Sequence, residues 1–434
     1  MAERSAPAAR RGWGPFFVRP LPLATIFLMT SPPNLPQTST TPLAAAAVSG
    51  HLDTRTAATE VAHELYDTLG SSCDLAIFFA SFHHRAAFPE AVEILRQTLG
   101  PACLFGATAE SVLGGEQELE GVAGLAALGL RLPGVSVHPW SSTPDDPLPL
   151  DEPARLGQRI GLAEDLRAVI LLADPFSTPI TGLLGAITTC NGALRPVPVV
   201  GGMASGASQP GLNQLLINDS VSAAGAVGIT IGGEVEIDFI VSQGCRPIGT
   251  PLVVTKSKAN VLQELGGQRA LDVLQALAND LPQREKALLK QGLLIGSVID
   301  EYKDHFGRGD FLVRNILGFD KHGGGIAVGE IPRVGQTIQF HVRDAETADE
   351  DLQLLLDAQQ LKAPPFAALL FSCNGRGKRL FKEPNHDIGV IRDRLGDVPI
   401  AGFFAAGEIG PIGDTSFLHG HTASLAVFRA KAES

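Results

Sequence analysis

Ala368-Leu369-Leu370-Phe371-Ser372-Cys373-Asn374-Gly375-Arg376-Gly377, answered by Ala401-Gly402-Phe403-Phe404-Ala405-Ala406-Gly407-Glu408, is the stretch on which the fold turns. An apolar run of strand length ends in a polar, glycine-bearing loop. A helical stretch follows, then a short apolar strand with a glycine bend. The same order occurs twice more. Leu75-Ala76-Ile77-Phe78-Phe79 leads to Phe105-Gly106-Ala107-Thr108-Ala109-Glu110, and Val169-Ile170-Leu171-Leu172 leads to Val200-Gly201-Gly202-Met203-Ala204-Ser205-Gly206. The steps Leu75 to Gly106, Val169 to Gly201 and Ala368 to Gly402 span 31, 32 and 34 positions. A near-constant step marks one structural unit used three times.

Around these units the pattern is mixed. Val61, Leu65 and Leu69 recur at a helical step within 56–69, and Ala91, Ile94, Leu95 and Leu99 do so in the first unit. Residues 122–132, 223–231 and 235–241 read as strands, and 144–153 as a surface loop. After Gly244-Cys245-Arg246-Pro247-Ile248-Gly249, a credible boundary, a helix is expected over 270–281. Strands are expected over 293–299, 311–316, 325–328 and 337–342, then an acidic-capped helix over 350–361. The fold expected is α/β to α+β: repeated strand-helix-strand units in two lobes, with a central antiparallel sheet in the C-terminal lobe.

Bulk properties narrow the function classes. The 434 residues carry a net charge of −12, with 44% hydrophobic and 18% charged residues, a globular composition. No block of Lys and Arg forms a nucleic-acid footprint after the N-terminus. No run reaches the roughly 18 apolar residues of a membrane helix. Neither nucleic acid nor membrane is therefore an expected partner. The five cysteines (Cys73, Cys103, Cys190, Cys245 and Cys373) form no CxxC pair, which suits free thiols in a reducing cytoplasm. Residues 1–50 read as a disordered extension, with Met29 as a candidate true start; 51–250 and 251–430 read as two domains.

The third unit differs from the others in chemistry. Its loop after the first strand holds Cys373, Asn374, Gly375 and Arg376, and its bend holds Gly407 and Glu408. Strand ends are where α/β architectures place functional loops. A guanidinium such as that of Arg376 can grip a carboxylate at two points. Arg314-Asn315 and Arg343-Asp344 lie in strand-like stretches, where polar groups need partners if buried. Set against Arg376 and Glu408, they would offer opposite charges at separate points, suited to an amino acid or related zwitterion. Cys373 with His419 or His421 as base is the enzymatic alternative, an acyl transferase or hydrolase. His419 and His421, two apart on a strand, would point the same way, but nothing completes a four-ligand metal site. No cofactor is expected.

Taken together, Gly201-Gly202-Met203-Ala204-Ser205-Gly206, Ser242-Gln243-Gly244-Cys245-Arg246-Pro247, Asp310-Phe311-Leu312-Val313-Arg314-Asn315, His341-Val342-Arg343-Asp344-Ala345-Glu346, Phe371-Ser372-Cys373-Asn374-Gly375-Arg376-Gly377 and Gly402-Phe403-Phe404-Ala405-Ala406-Gly407-Glu408-Ile409-Gly410-Pro411 resemble the FIST family. The resemblance covers about residues 50–430, with 51–250 as the N-terminal and 251–430 as the C-terminal FIST domain. One departure is Gly413-Asp414, where a double glycine is expected. The resemblance implies an intracellular sensory module for small ligands, amino acids among them, acting alone and signalling through a partner protein. It supplies no catalytic residue set. A protein-interaction scaffold remains the third reading.

Overall fold

Each sequence repeat folds into the centre of its own six-stranded sheet. A computed structural model of the chain describes residues 41–71, 73–192 and 195–431; the expectations for residues 1–40 lie outside it. In the first repeat Leu75–Ser81 runs parallel to Cys103–Ala109, in the second Leu166–Ala173 beside Val199–Met203, and in the third Ala367–Cys373 beside Ile400–Ala405. Leu75–Ser81 is buried along its whole length, as parallel strands covered on both faces are. An antiparallel strand flanks each pair: Leu125–Arg131, Ala226–Gly233 or Thr422–Ala430. The class is α/β to α+β, as the sequence indicates.

The glycines that define the repeat lie inside strands, and are not bends. Gly106, Gly201 and Gly402 stand opposite Phe78, Leu171 and Leu370 in the parallel register. A Cβ at each would fall 1.9, 1.9 and 1.8 Å from the carbonyl oxygen of that partner. Only glycine lets the two backbones pair there.

Helices close the outer face of each sheet. Thr54–Leu69 begins where the Asp53 carboxylate accepts from the Thr56 N–H at 2.9 Å and ends at Gly70, with φ of 65°. Val61, Leu65 and Leu69 face the first sheet beside the helix Phe88–Leu99. Pro153–Arg159 and Ile180–Thr189 cover the second sheet. Ala345–Asp357 and His386–Leu395 cover the third. The first of this last pair starts five residues before the expected 350, and 358–361 continues it as a 3-10 turn.

The expected two lobes are not found. The inner faces of all three sheets meet in one core, where Ile77, Phe79, Ile170, Leu172, Phe371 and Phe403 pack together. The Phe79 and Phe403 rings lie 4.9 Å apart across repeats one and three. An apolar sheet face has to be covered, and here three such faces cover one another. Hairpins interlock the arrangement. Val112–Gly114 with Gln117–Leu119, from repeat one, extends the third sheet by pairing with Ile400–Ala405. Leu215–Ile217 with Ser220–Ser222, from repeat two, extends the first sheet beside Cys103–Ala109. Glu408–Ile412 with Thr415–His419, from repeat three, extends the second beside Val199–Met203. Each repeat thus lends a hairpin to another's sheet, in a closed cycle.

Two further differences concern the edges. Leu43–Ser49, expected as part of a disordered lead-in, is the edge strand of the first sheet, paired with Leu125–Arg131. Its alanines have weak strand preference, but Ala45 and Ala47 fit against Ala57, Ala58 and Val61 of the covering helix. The central antiparallel region is an insertion in repeat three, between its edge strand Val235–Gln243 and its first helix. It forms a seven-stranded sheet from Cys245–Lys258 to Thr337–Arg343, with a separate apolar core under Ala270–Asp280. The expected boundary near 250 falls within its first strand. No helix among the described residues is long and apolar enough to cross a membrane.

Candidate functional site

The loop Cys373–Arg376 leaves the end of the third repeat's central strand and runs up against the inserted sheet. Arg343, at the end of an inserted strand, donates from Nη2 to the Gly375 carbonyl. The Gly375 N–H points at the Cys373 Sγ at 3.3 Å, and the Arg376 N–H donates to the Cys373 carbonyl at 2.8 Å. From the far side the Gly244 N–H donates to the His421 carbonyl at 2.9 Å, and His421 Nε2 meets Asn315 Oδ1 at 3.0 Å. Glu408, in the swapped hairpin, closes the floor. Its Oε2 accepts from the Thr422 N–H at 3.0 Å and the Thr422 hydroxyl at 2.8 Å.

Several polar atoms here have no partner: Glu408 Oε1, His421 Nδ1, Arg376 Nη1, Arg343 Nε and Asn374 Oδ1. Buried polar groups are ordinarily paired, so five orphans around one loop are unusual. Two are donors on cations, two are oxygens on an acid and an amide, and the fifth is an imidazole nitrogen.

Burial sets the charge states. Glu408 is fully buried, and loss of water pushes its carboxyl up to about 8 despite the Thr422 hydrogen bonds, the adjacent Cys373 thiol and the Arg376 charge. Burial and the neighbouring Glu408 push the Cys373 thiol up to about 12. His419 and His421 are driven down to about 4, mainly by burial, with Arg314 and Arg343 respectively adding repulsion. The site therefore holds a neutral thiol and neutral imidazoles at neutral pH, a poor setting for a thiolate nucleophile.

Arg376 is differently placed from what its position in the sequence suggests. It is 1% exposed and clamps Asp387 at two points, Nε to Oδ2 and Nη2 to Oδ1, each 2.8 Å. Asp387 also accepts from the Ser372 hydroxyl at 2.8 Å. Burial alone would raise the Asp387 carboxyl, but Arg376 and His386 hold it well below the usual range. Only Nη1 of Arg376 is left to face the cluster.

The remaining expected residues divide. Arg314 is half-buried, 3.7 Å from Glu330, and burial lowers its pKa while Glu330 and Glu408 oppose that. Asn315 is exposed and anchors His421. Asp344 does not join the cluster: strand alternation turns it away from Arg343 toward Arg246 at 2.9 Å and Thr347. The Gly407 carbonyl accepts from Met203 at 2.8 Å and serves the sheet. His419 and His421 do not point the same way, because the strand ends at His419 and His421 has φ of 65°. His419 Nε2 instead meets the Gly410 carbonyl at 2.9 Å.

Beside this cluster a cavity of about 630 Å³ opens at the carboxyl ends of the parallel strands. Phe82, Arg85 and Glu110 line it from repeat one, Ser205 and Gln209 from repeat two, and Asn374 from repeat three. Of these only Asn374 is among the expected site residues. Glu110 and Ser205 occupy the ends of their repeat motifs, a signal available in the sequence; nothing there singles out Arg85.

An uncharacterized protein of Mycobacterium tuberculosis (strain H37Rv) is 39% identical over 392 residues, covering 88% of this chain and 98% of the relative. An uncharacterized protein of Mycobacterium bovis is 38% identical over 387 residues, covering 87% and 96%. Among solved structures, cyanuric acid hydrolase from A. caulinodans aligns over 90% of this chain and all of its own, at 10% identity and a TM-score of 0.34, too loose for any argument. The FIST N domain matches residues 74–268 and the FIST C domain residues 270–411. The chain belongs to the FIST family of sensory domains.

Proposed function

We propose that the protein is a cytoplasmic sensor whose ligand is a small zwitterion, an amino acid or a related carboxylate, held between the Cys373–Arg376 loop and the inserted sheet. One observation carries this reading: Arg343, Arg376, Asn374 and Glu408, on or beside one loop, each hold a buried polar atom without a hydrogen-bond partner, two donors and two acceptors. A carboxylate would take the guanidinium N–H groups, and an ammonium group would take Glu408 Oε1 and Asn374 Oδ1. An incoming ammonium would also favour the charged form of Glu408 and draw off its proton.

The loop belongs to the third repeat and Arg343 to the insertion, so occupancy would fix one against the other. That is a natural origin for a signal read by a partner protein. The insertion exposes Leu317, Ile331 and Val334 at 63, 76 and 64%, apolar area of the kind an interaction surface presents.

A thermal-shift screen of the full chain against amino acids, small carboxylates and nucleotides tests the reading. At a hundredfold excess over Kd a ligand adds about 2.7 kcal/mol, which heating reads easily. Stabilisation by one zwitterion or carboxylate class, lost in Arg343→Ala, is the expected result. No stabilisation by either class, or stabilisation indifferent to Arg343→Ala, would overturn it.

A further inference from the structure

The cavity at the strand ends adjoins the cluster and shares Asn374 with it, but the rest of its lining, and its chemistry, are different. Five of the six parallel strands of the repeats deliver the residue at or near their carboxyl ends to its wall: Phe82, Glu110, Ser205, Asn374 and Ala406. The sixth, Leu166–Ala173, ends at buried Asp174, whose Oδ1 accepts from Asn213 at 2.9 Å and so anchors the loop that forms the second repeat's share. Its volume of about 630 Å³ lies within the range of small-molecule sites.

Charge within the cavity is unbalanced. Glu110 is neutralised by Arg379, which donates from Nη2 at 2.5 Å and Nη1 at 3.3 Å. Arg85 is half-buried in the wall; its carbonyl accepts from the Phe88 N–H, but its guanidinium makes no hydrogen bond or ion pair among the described residues. A guanidinium held in a concave site without a counter-charge favours an anion there. The rest of the wall carries the Ser208 hydroxyl, the Gln209 amide and Asn374, while the Ser205 hydroxyl is taken up between the Glu110 N–H and the Phe404 carbonyl; Phe82 and Leu212 give apolar surface, 43 and 38% exposed.

We infer that this cavity is a second ligand site, built jointly by the three repeats, for a small organic anion with one apolar face. Its acid group pairs with Arg85 and its apolar face lies on Phe82 and Leu212. Neither Arg343 nor Glu408 lines it, and of the groups assigned to the zwitterion it shares only Asn374.

Benzoate, its neutral isostere benzamide, acetate and inorganic phosphate serve as probes, titrated into the full chain and followed by ligand-observed NMR and thermal shift. The expected result is that benzoate binds, and binds at least tenfold tighter than benzamide. Arg85→Gln should weaken benzoate about ten- to a hundredfold, the worth of a charge-assisted hydrogen bond, and leave benzamide unchanged. Ser208→Trp, which fills the cavity, should abolish both. Arg343→Ala and Glu408→Gln should leave benzoate binding intact, which separates this site from the other. Equal binding of benzoate and benzamide, full binding in Arg85→Gln, or binding of phosphate alone would overturn the inference. So would no binding of any anion at about 10 mM, where a millimolar site is filled.

Discussion

Glu408 carries a titratable consequence of its burial. Its carboxyl titrates near 8 in the fold against 4.5 when exposed, because burial disfavours the anion. A raised folded-state pKa contributes stability that is fully present below about 4.5 and lost as pH rises through about 8. The wild type should therefore lose stability relative to Glu408→Gln as pH climbs from 5 to 8.5, on the order of a few kcal/mol. Melting temperatures of the two proteins across that range decide it; parallel profiles would refute it. Arg376 makes a second case. Removing it strands the Asp387 charge in the interior, so Arg376→Ala should cost about 3–5 kcal/mol by chemical denaturation, with Asp387→Asn partly rescuing the loss. Sequence marked Arg376 as a ligand grip because the loop is polar and lies at a strand end. Its true partner sits eleven positions on, in a helix, and nothing local announces it.

At the level of elements, the repeating glycines make the sharpest test. Gly402→Ala sets a methyl group 1.8 Å from the Leu370 carbonyl oxygen, and backbone cannot rotate away as a side chain can. We expect a loss of about 3 kcal/mol or more, the severe end of overpacking, measured by urea denaturation. An unchanged midpoint would contradict the close-pairing account. The strands and helices themselves were largely legible: the apolar runs at Leu75, Val169 and Ala368 became strands, and the Leu271, Leu274 and Leu277 spacing became a helix. The swapped hairpins were not legible. Val112–Gly114 is too short to carry a pattern, and its partner Ile400–Ala405 lies almost 300 residues away, a choice set by packing. Likewise Leu43–Ser49 reads as featureless alanine until its neighbours are known.

For the whole molecule, the cyclic exchange of hairpins makes the three repeats mutually dependent. A fragment ending at residue 250 would keep the first sheet but expose the apolar side of Leu75–Ser81, and would lose the Glu408–His419 hairpin that flanks Val199–Met203. Such a fragment should fail to fold, giving no cooperative thermal transition by circular dichroism, whereas the full chain melts in one main step. Within the candidate site, Arg343, Cys373, Asn374, Gly375, Arg376, Glu408 and His421 lie on or beside one loop, and repeat and loop patterns in the sequence point to that strand end for most of them. It missed Arg85 because the cavity exists only once three repeats converge. The central claim is that those orphaned groups bind a ligand. Calorimetric titration of the stabilising zwitterion into wild type, Arg343→Ala, Glu408→Gln and Arg85→Gln tests it most directly. The account predicts binding weakened at least about tenfold in the first two variants and unchanged in the third. Equal affinity in wild type, Arg343→Ala and Glu408→Gln would contradict it.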